Sequence, residues 1–316
     1  MTAPIKQNVR EIFEQLYSAV IPINFVEVPD SPSSNIRIIF SDGPATGEAY
    51  AYTLSTPGVG GAIHLSASSE NDPAVASSGR PGSYGYSTLI HEIGHTLGLK
   101  HPGNYNALSE DGPEEGPFLP FDRDHHRNTV MSYNPTSERL ITPGQLLEAS
   151  TLMVYDIQAL QFLYGARTDF NSGDNVYSFT PDNFYQVATL WDGGGSDFLD
   201  FSGLPATDSY ILNLNPGEVS TARSALNALS YNLIEDQGGP ADQVFTTHAF
   251  GNYLALGVQM ENLIGSGGND QIINCSIIFF RIGSVPYSLF PVPLILKNVS
   301  FTCLSRPGHS TGSSPL

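Results

Sequence analysis

The sequence predicts an α+β domain followed by an all-β region. Three observations carry that expectation. Val9, Ile12, Phe13, Leu16, Tyr17 and Val20 recur at helical spacing near the start, and a second helical pattern closes the first half, with short strand-like runs between them. After Gly165 the helical spacing disappears, and Gly, Asp and Asn separate short apolar runs. After Ile273 the composition changes again: residues 271–316 hold no Asp or Glu, against 31 in the whole chain. These breaks divide the chain into 1–166, 167–273 and an atypical tail, 274–316, expected to be poorly ordered.

Taken in order, residues 5–20 form an amphipathic helix. Residues 24–28, bracketed by Pro22 and Pro29, read as a strand, and 36–40, 49–54 and 62–66 as three more. Residues 67–85 are rich in Ser, Gly, Pro and Asn and form a loop. A helix follows from near Ser87. Residues 102–128 are irregular and acidic, with Gly112-Pro113 and Gly116-Pro117 as breakers. Residues 143–164 turn helical, with Pro143 near the start and Gly165 just past the end, so the domain boundary falls near Arg167.

The chemistry lies in the helix after Ser87. It carries His91, Glu92, His95, Gly98 and His101 in the pattern HExxHxxGxxH. Residues four apart share one helix face, so His91 and His95 can grip one ion. Gly98 ends the helix by taking the left-handed conformation, and the chain returns with His101 as third ligand. Glu92 follows His91 and can reach a metal-bound water. Three protein ligands plus water is the open arrangement of a catalytic zinc. A chance match to all five positions in a chain this long is on the order of one in 10^5.

Downstream comes Thr129-Val130-Met131-Ser132-Tyr133. The long histidine motif followed by such a methionine is the metzincin signature. The chain resembles the serralysin branch of the metzincins, zinc metalloendopeptidases that carry calcium-binding repeats. The run from Tyr155 to Ala166 is similar to the helix that closes the serralysin catalytic domain. The resemblance implies that Met131 forms a turn beneath the zinc. It implies that Tyr133 is a further zinc ligand that can swing to the reacting carbonyl. It also implies an edge strand above the cleft, taken here as 63–65, to which an extended peptide adds. His64 in that strand reads as a structural histidine, and His125 and His126 as a solvated loop pair.

The second region contains Trp191-Asp192-Gly193-Gly194-Gly195-Ser196-Asp197 and, later, Glu261 followed by Gly265-Ser266-Gly267-Gly268-Asn269-Asp270. Both approximate the GGxGxDxUx repeat of a parallel β-roll. Glycines let the turn present carbonyl oxygens, and Asp adds a charged oxygen for calcium. The resemblance implies calcium ligands at Gly173, Asp192, Gly194, Gly195, Asp197, Glu261, Gly268 and Asp270, the glycines through their carbonyls. It extends the set to Asn171, Asn175 and Gln259, which depart from the family's usual residues. The β-roll would be incomplete, because the repeats stop at Ile273. The resemblance covers about residues 5–273 and reads as truncated at both ends, and the tail reads as foreign sequence.

Composition narrows the partners. The chain has 31 acidic against 13 basic residues, which excludes a phosphate-binding basic face and hence nucleic acid. Cys275 and Cys303 are the only cysteines, so a Cys-based zinc site before them is excluded. No stretch of about twenty apolar residues is present to span a membrane, and no signal peptide is seen at the N-terminus. The expected protein is a secreted monomer acting on proteins or peptides, with one catalytic zinc and several structural calcium ions. The competing reading is a calcium-dependent binding or scaffold protein with a vestigial protease site.

Overall fold

A computed structural model of the chain describes residues 1–45, 48–70, 72, 76–105, 116–134, 140–142, 145–231, 244–273 and 300–302. The chain opens with α1 (Ala3–Glu11), which widens into a π-helical segment, Ile12–Tyr17, and returns as α2 (Ser18–Val20). Ile5, Ile12 and Tyr17 on its inner face are fully buried. Residues 24–28 belong to no regular element and to none of the sheets, so the first expected strand is absent there.

β1 (Arg37–Ser41), β2 (Ala49–Ala51) and β3 (Ala62–Ser66) form one sheet in the order β1-β3-β2, with β1 parallel and β2 antiparallel to β3. This corrects the edge-strand expectation: 63–65 lies in the central strand, hydrogen-bonded on both sides, and β1 and β2 are the edges of this sheet among the described residues. His64 on β3 stacks on Tyr50 at 4.7 Å between ring centroids, and its Nδ1 lies 3.2 Å from Ser41 Oγ.

The histidine-bearing helix is α3 (Tyr84–Thr96), which starts three residues before Ser87. Beyond it, β4 (Leu140–Thr142) and β5 (Gln145–Leu146) pair as a small hairpin where helix was expected. The helix begins only at α4 (Val154–Tyr164). The start is fixed by Asp156, whose carboxylate accepts the Met153 N–H at 2.8 Å, so the chain before Met153 is not drawn into the helix.

The region after Arg167 is not wholly strand: it includes the one-turn helix α5 (Pro181–Phe184). β6 (Val176–Ser178), β8 (Phe198–Asp200) and β14 (Asn262–Ile264) make a parallel three-stranded sheet, in the order β14-β8-β6. β7 (Val187–Leu190), β9 (Tyr210–Asn213), β10 (Val219–Ala222), β13 (Gly251–Leu254) and β15 (Gln271–Ile273) belong to a six-stranded sheet with mixed directions. β11 (Leu229–Tyr231) pairs antiparallel with β12 (Phe245–Thr247). Of the tail, only β16 (Ser300–Thr302) lies within the described residues, where it pairs with β15; the rest of that reading falls outside them.

A single buried apolar cluster runs through both regions, from Ile12 and Ile90 to Phe201 and Tyr210. Polar ties cross the seam as well. Arg127, only 3 % exposed, donates to the carbonyls of Leu147 at 3.0 Å, His248 at 3.1 Å and Ala249 at 3.2 Å. Ser150 N donates to Val187 O at 2.8 Å, and Trp191 Nε1 to Arg167 O at 3.1 Å.

Candidate metal centre

The site is built where α3 ends. Gly98 has φ +93°, its N–H donates to His95 O at 3.0 Å, and the Leu99 N–H reaches back to Gly94 O at 3.0 Å. These are the two bonds of a Schellman turn, which needs a left-handed residue at the Gly98 position. The turn carries His101 to the face of α3 that bears His91 and His95. The Nε2 atoms of His95 and His101 are 3.2 Å apart, and those of His101 and His91 3.4 Å apart. Among the described residues, these three histidines are the one cluster of at least three His, Cys, Asp or Glu side chains whose ligand atoms converge, all within 4.8 Å.

The protons of this cluster are fixed by its carbonyl partners. His91 Nδ1 lies 2.7 Å from Val130 O, and His95 Nδ1 2.9 Å from Leu99 O. A carbonyl only accepts, so both imidazoles carry their hydrogen on Nδ1 and turn a lone pair on Nε2 toward the centre. Burial pushes all three imidazoles down from their ordinary value, His101 to about 3, so the cluster is not relieved by protonation. Facing lone pairs call for a cation. Tetrahedral zinc with Zn–N near 2.0–2.1 Å places its nitrogen ligands about 3.3 Å apart, the spacing found here. The residues present therefore fit zinc.

Glu92 is 4 % exposed, and burial pushes its carboxyl up to about 8. Its Oε2 is buried with no hydrogen-bond partner among the described residues. A buried polar atom left unpaired points to an interaction with something besides protein. Met131, 2 % exposed, lies directly beneath α3: a Cβ added at Gly94 would meet Met131 Sδ at 3.1 Å. The Tyr133 ring packs on His101 at 4.3 Å and on His91 at 5.9 Å between centroids. The structure thus brings together His91, His95, His101 and Tyr133, with Met131 against Gly94 and Glu92 buried on the same helix.

Three further residues around the site, Asp156, Tyr105 and Asp124, do not stand out in the sequence. Asp156 on α4 accepts hydrogen bonds from Thr129 Oγ1 at 2.5 Å and Val130 N at 2.9 Å. Tyr105 donates to Asp124 Oδ1 at 2.9 Å, while its oxygen accepts the Tyr133 N–H at 3.1 Å. The faint signals for them are an Asp in the first turn of a new helix and an aromatic residue just past the third histidine. His125 and His126 are not a solvated pair. His125 is buried, with Asn128 Nδ2 at 3.1 Å from its Nε2, and His126 pairs with the buried Glu148 at 3.2 Å. The segment is buried because Arg127, next to them, inserts toward the β-region.

The expected calcium ligands separate into two places. In the first, Asp197 Oδ1 accepts Asn175 N at 2.8 Å, Glu261 Oε2 accepts Asp197 N at 2.9 Å, and Asp192 Oδ1 accepts Gly194 N at 2.6 Å. Tyr177 donates to Asp192, and the Asn175 amide nitrogen sits between the carbonyls of Asn171 and Gly173. Gly194 and Gly195 both have positive φ, and a Cβ at Gly195 would stand 2.3 Å from Gly173 O. Asp197 is fully buried, with Oδ2 unpartnered among the described residues. In the second place, Asp270 accepts Ser266 N at 2.6 Å and Ser266 Oγ at 2.8 Å, while Gly268 lies against Asp208 O. Gln259 is exposed, in the segment between β13 and β14.

A family model described as matrixin matches residues 2–110. The serralysin of Photorhabdus luminescens is 35 % identical over 279 residues, 82 % of this chain and 50 % of the relative. Serralysin A of Dickeya chrysanthemi is 33 % identical over 278 residues, 82 % of this chain and 51 % of the relative. The chain is thus similar to the serralysins over 82 % of its length. The metalloprotease AprA of Pseudomonas entomophila (strain L48) is 37 % identical over 206 residues, 61 % of this chain and 37 % of the relative. The chain spans about half the length of the serralysins it matches. Among the described residues, no helix is long and apolar enough to cross a membrane.

Proposed function

We propose that the chain is a zinc-dependent endopeptidase that cleaves peptide bonds in proteins. The observation that carries this reading is the trio of converging Nε2 atoms, on a helix that also bears the buried Glu92, whose Oε2 has no hydrogen-bond partner among the described residues. His91, His95 and His101 would hold zinc, with Tyr133 as a further ligand. Bound zinc would supply a water of lowered pKa and polarisation of the scissile carbonyl. Glu92 takes the proton from the attacking water and returns it to the leaving amine. Its raised carboxyl pKa suits a group that must hold a proton between those two events. Tyr133 donates to the developing oxyanion. The substrate runs along β2, the edge strand that contacts α3, and is read through its main chain, which gives broad specificity.

Calcium is proposed at Gly173, Asn175, Asp192, Gly194, Gly195, Asp197 and Glu261, with Asn171 beside them. Support comes from the unpaired Asp197 Oδ2 and from the Asn175 amide, a partial positive charge standing among carbonyls where a cation would stand. Gly268 and Asp270 belong to a second turn, and Gln259 to neither. The parallel sheet of β6, β8 and β14 would be the roll that carries the first group. Export from the cell and a monomeric state complete the reading.

The test is hydrolysis of a generic unfolded protein by the purified chain in calcium, alongside Glu92→Gln and metal analysis of both. The expected result is activity abolished by a zinc chelator and lowered at least about 100-fold in the mutant, with one zinc retained. Undiminished hydrolysis by zinc-loaded Glu92→Gln would overturn the assignment.

A further inference from the structure

Tyr105 lies four residues beyond His101, outside the metal motif, yet its contacts converge on the metal centre. Its ring stacks on His101, with centroids 5.6 Å apart and planes within 25°, and packs on Tyr133 at 5.0 Å. Its hydroxyl does two things at once. It donates to Asp124 Oδ1 at 2.9 Å and accepts the backbone N–H of Tyr133 at 3.1 Å. Asp124 is 1 % exposed and is itself held by Ser132 Oγ at 2.6 Å, while its carbonyl accepts Asn134 Nδ2 at 2.8 Å. Ser132 and Asn134 flank Tyr133, so every residue of this short run is tied to Asp124 or to its tyrosine partner.

Space has been reserved for the arrangement. A Cβ at Gly103 would stand 2.1 Å from Tyr105 Cε1 and 2.7 Å from Asp124 Oδ2. Glycine at 103 thus lets ring and carboxylate meet.

We propose that Tyr105 is a positioning residue. Anchored by Asp124, its hydroxyl fixes the Tyr133 backbone and its ring braces His101, so that the third histidine and the tyrosine ligand are held in mutual register. The inference rests on the assignment of Tyr133 as a metal-site residue. In the proposed function Tyr133 would serve both the metal and the developing oxyanion, so its side chain would have to move between them. Pinning its main chain leaves only the side chain free to move.

The test uses zinc-depleted protein reloaded with copper(II), whose phenolate ligands give a charge-transfer band in visible light. Parent, Tyr133→Phe and Tyr105→Phe chains are compared, with kcat and KM measured on the zinc forms. The expected result is a band in the parent, lost in Tyr133→Phe and weakened or shifted in Tyr105→Phe. In Tyr105→Phe, kcat falls roughly tenfold, the factor equivalent to one net hydrogen bond, with KM nearly unchanged. A band lost in Tyr133→Phe but intact in Tyr105→Phe, with kcat intact, overturns the role of Tyr105 alone. A band absent from the parent, or indifferent to Tyr133→Phe, overturns the Tyr133 assignment and this inference with it. If Tyr105→Phe does not fold, Asp124→Asn, which keeps the shape and weakens only the anchor, is read in the same way.

Discussion

Asp156 and His91 are joined through Val130. The Val130 N–H donates to Asp156 Oδ2 at 2.9 Å, and the Val130 carbonyl accepts from His91 Nδ1 at 2.7 Å. A carboxylate on α4 thereby orients His91, the first histidine of the cluster on α3, without touching it. The same carboxylate receives Thr129 Oγ1 and Met153 N, so it also sets the turn that bears Met131.

Asp156→Ala is therefore expected to act at two distances. It strands the buried N–H groups of Val130 and Met153, and stability should fall by about 3 kcal/mol or more in denaturant unfolding. Zinc affinity should fall about 10- to 100-fold, as for other losses behind a metal ligand. Unaltered zinc affinity would show that Val130 is held well enough without Asp156.

Burial raises the Asp156 carboxyl from the usual 3.8 to about 6, against its hydrogen bonds. The folded state then binds this proton more tightly than the unfolded chain. The contribution is fully present below about pH 4 and is lost as pH rises through about 6. Asp156→Asn should remove that component. The stability difference between parent and mutant, followed by chemical denaturation from pH 4 to 6, should slope accordingly.

Two histidines act in the opposite sense. Burial, reinforced by Arg127, pushes His125 down to about 3 and His248 down to about 4. The unfolded chain takes up these protons first, so stability is lost as pH falls from about 6.5 toward 4. Each histidine contributes a slope approaching roughly 1.4 kcal/mol per pH unit within that window. His248→Gln should move the acid-unfolding midpoint, followed by circular dichroism, to lower pH than in the parent.

Gly94→Ala tests the packing under the histidine-bearing helix α3. Its Cβ would meet Met131 Sδ at 3.1 Å, Leu99 Cδ1 at 3.2 Å and the Tyr17 hydroxyl at 3.2 Å. Tyr17 is itself fixed to Ile90 O at 2.6 Å, so it cannot easily retreat. Overpacking should cost about 1–3 kcal/mol and lower the melting temperature. No change would mean that Met131 adapts freely.

In the β-region, calcium should raise the melting temperature of the parent and leave Asp197→Ala unmoved. Asp197 Oδ2 is a buried oxygen with no partner among the described residues, so the mutation removes the atom best placed to meet a cation. A calcium response that survives in Asp197→Ala would move the site elsewhere.

The convergence of the three histidines was legible in the sequence because its geometry is local. The four-residue spacing of His91 and His95 and the left-handed Gly98 fix two ligands and the return of the third, whatever surrounds them. The order of strands was not legible. The pattern of 62–66 describes a buried strand, and nothing within it says that β2 will fold back to cover its far side. The helix expected from 143 failed for a related reason. Leu146 and Leu147 suit either structure, and Asp156 decides the start by capturing Met153 N. His125 and His126 looked solvated because their burial depends on residues about 120 positions away, which Arg127 reaches.

Arg127 also bears on how such proteins can be recombined. Its guanidinium belongs to the first half of the chain, but two of its acceptors, the carbonyls of His248 and Ala249, belong to the second. A chimaera that grafts this first half onto an unrelated partner would keep the cation and forfeit two of its acceptors. A buried charge so abandoned costs several kcal/mol, enough to erase the stability of many domains. The halves are not interchangeable modules: exchanging one means reinventing the socket for the other.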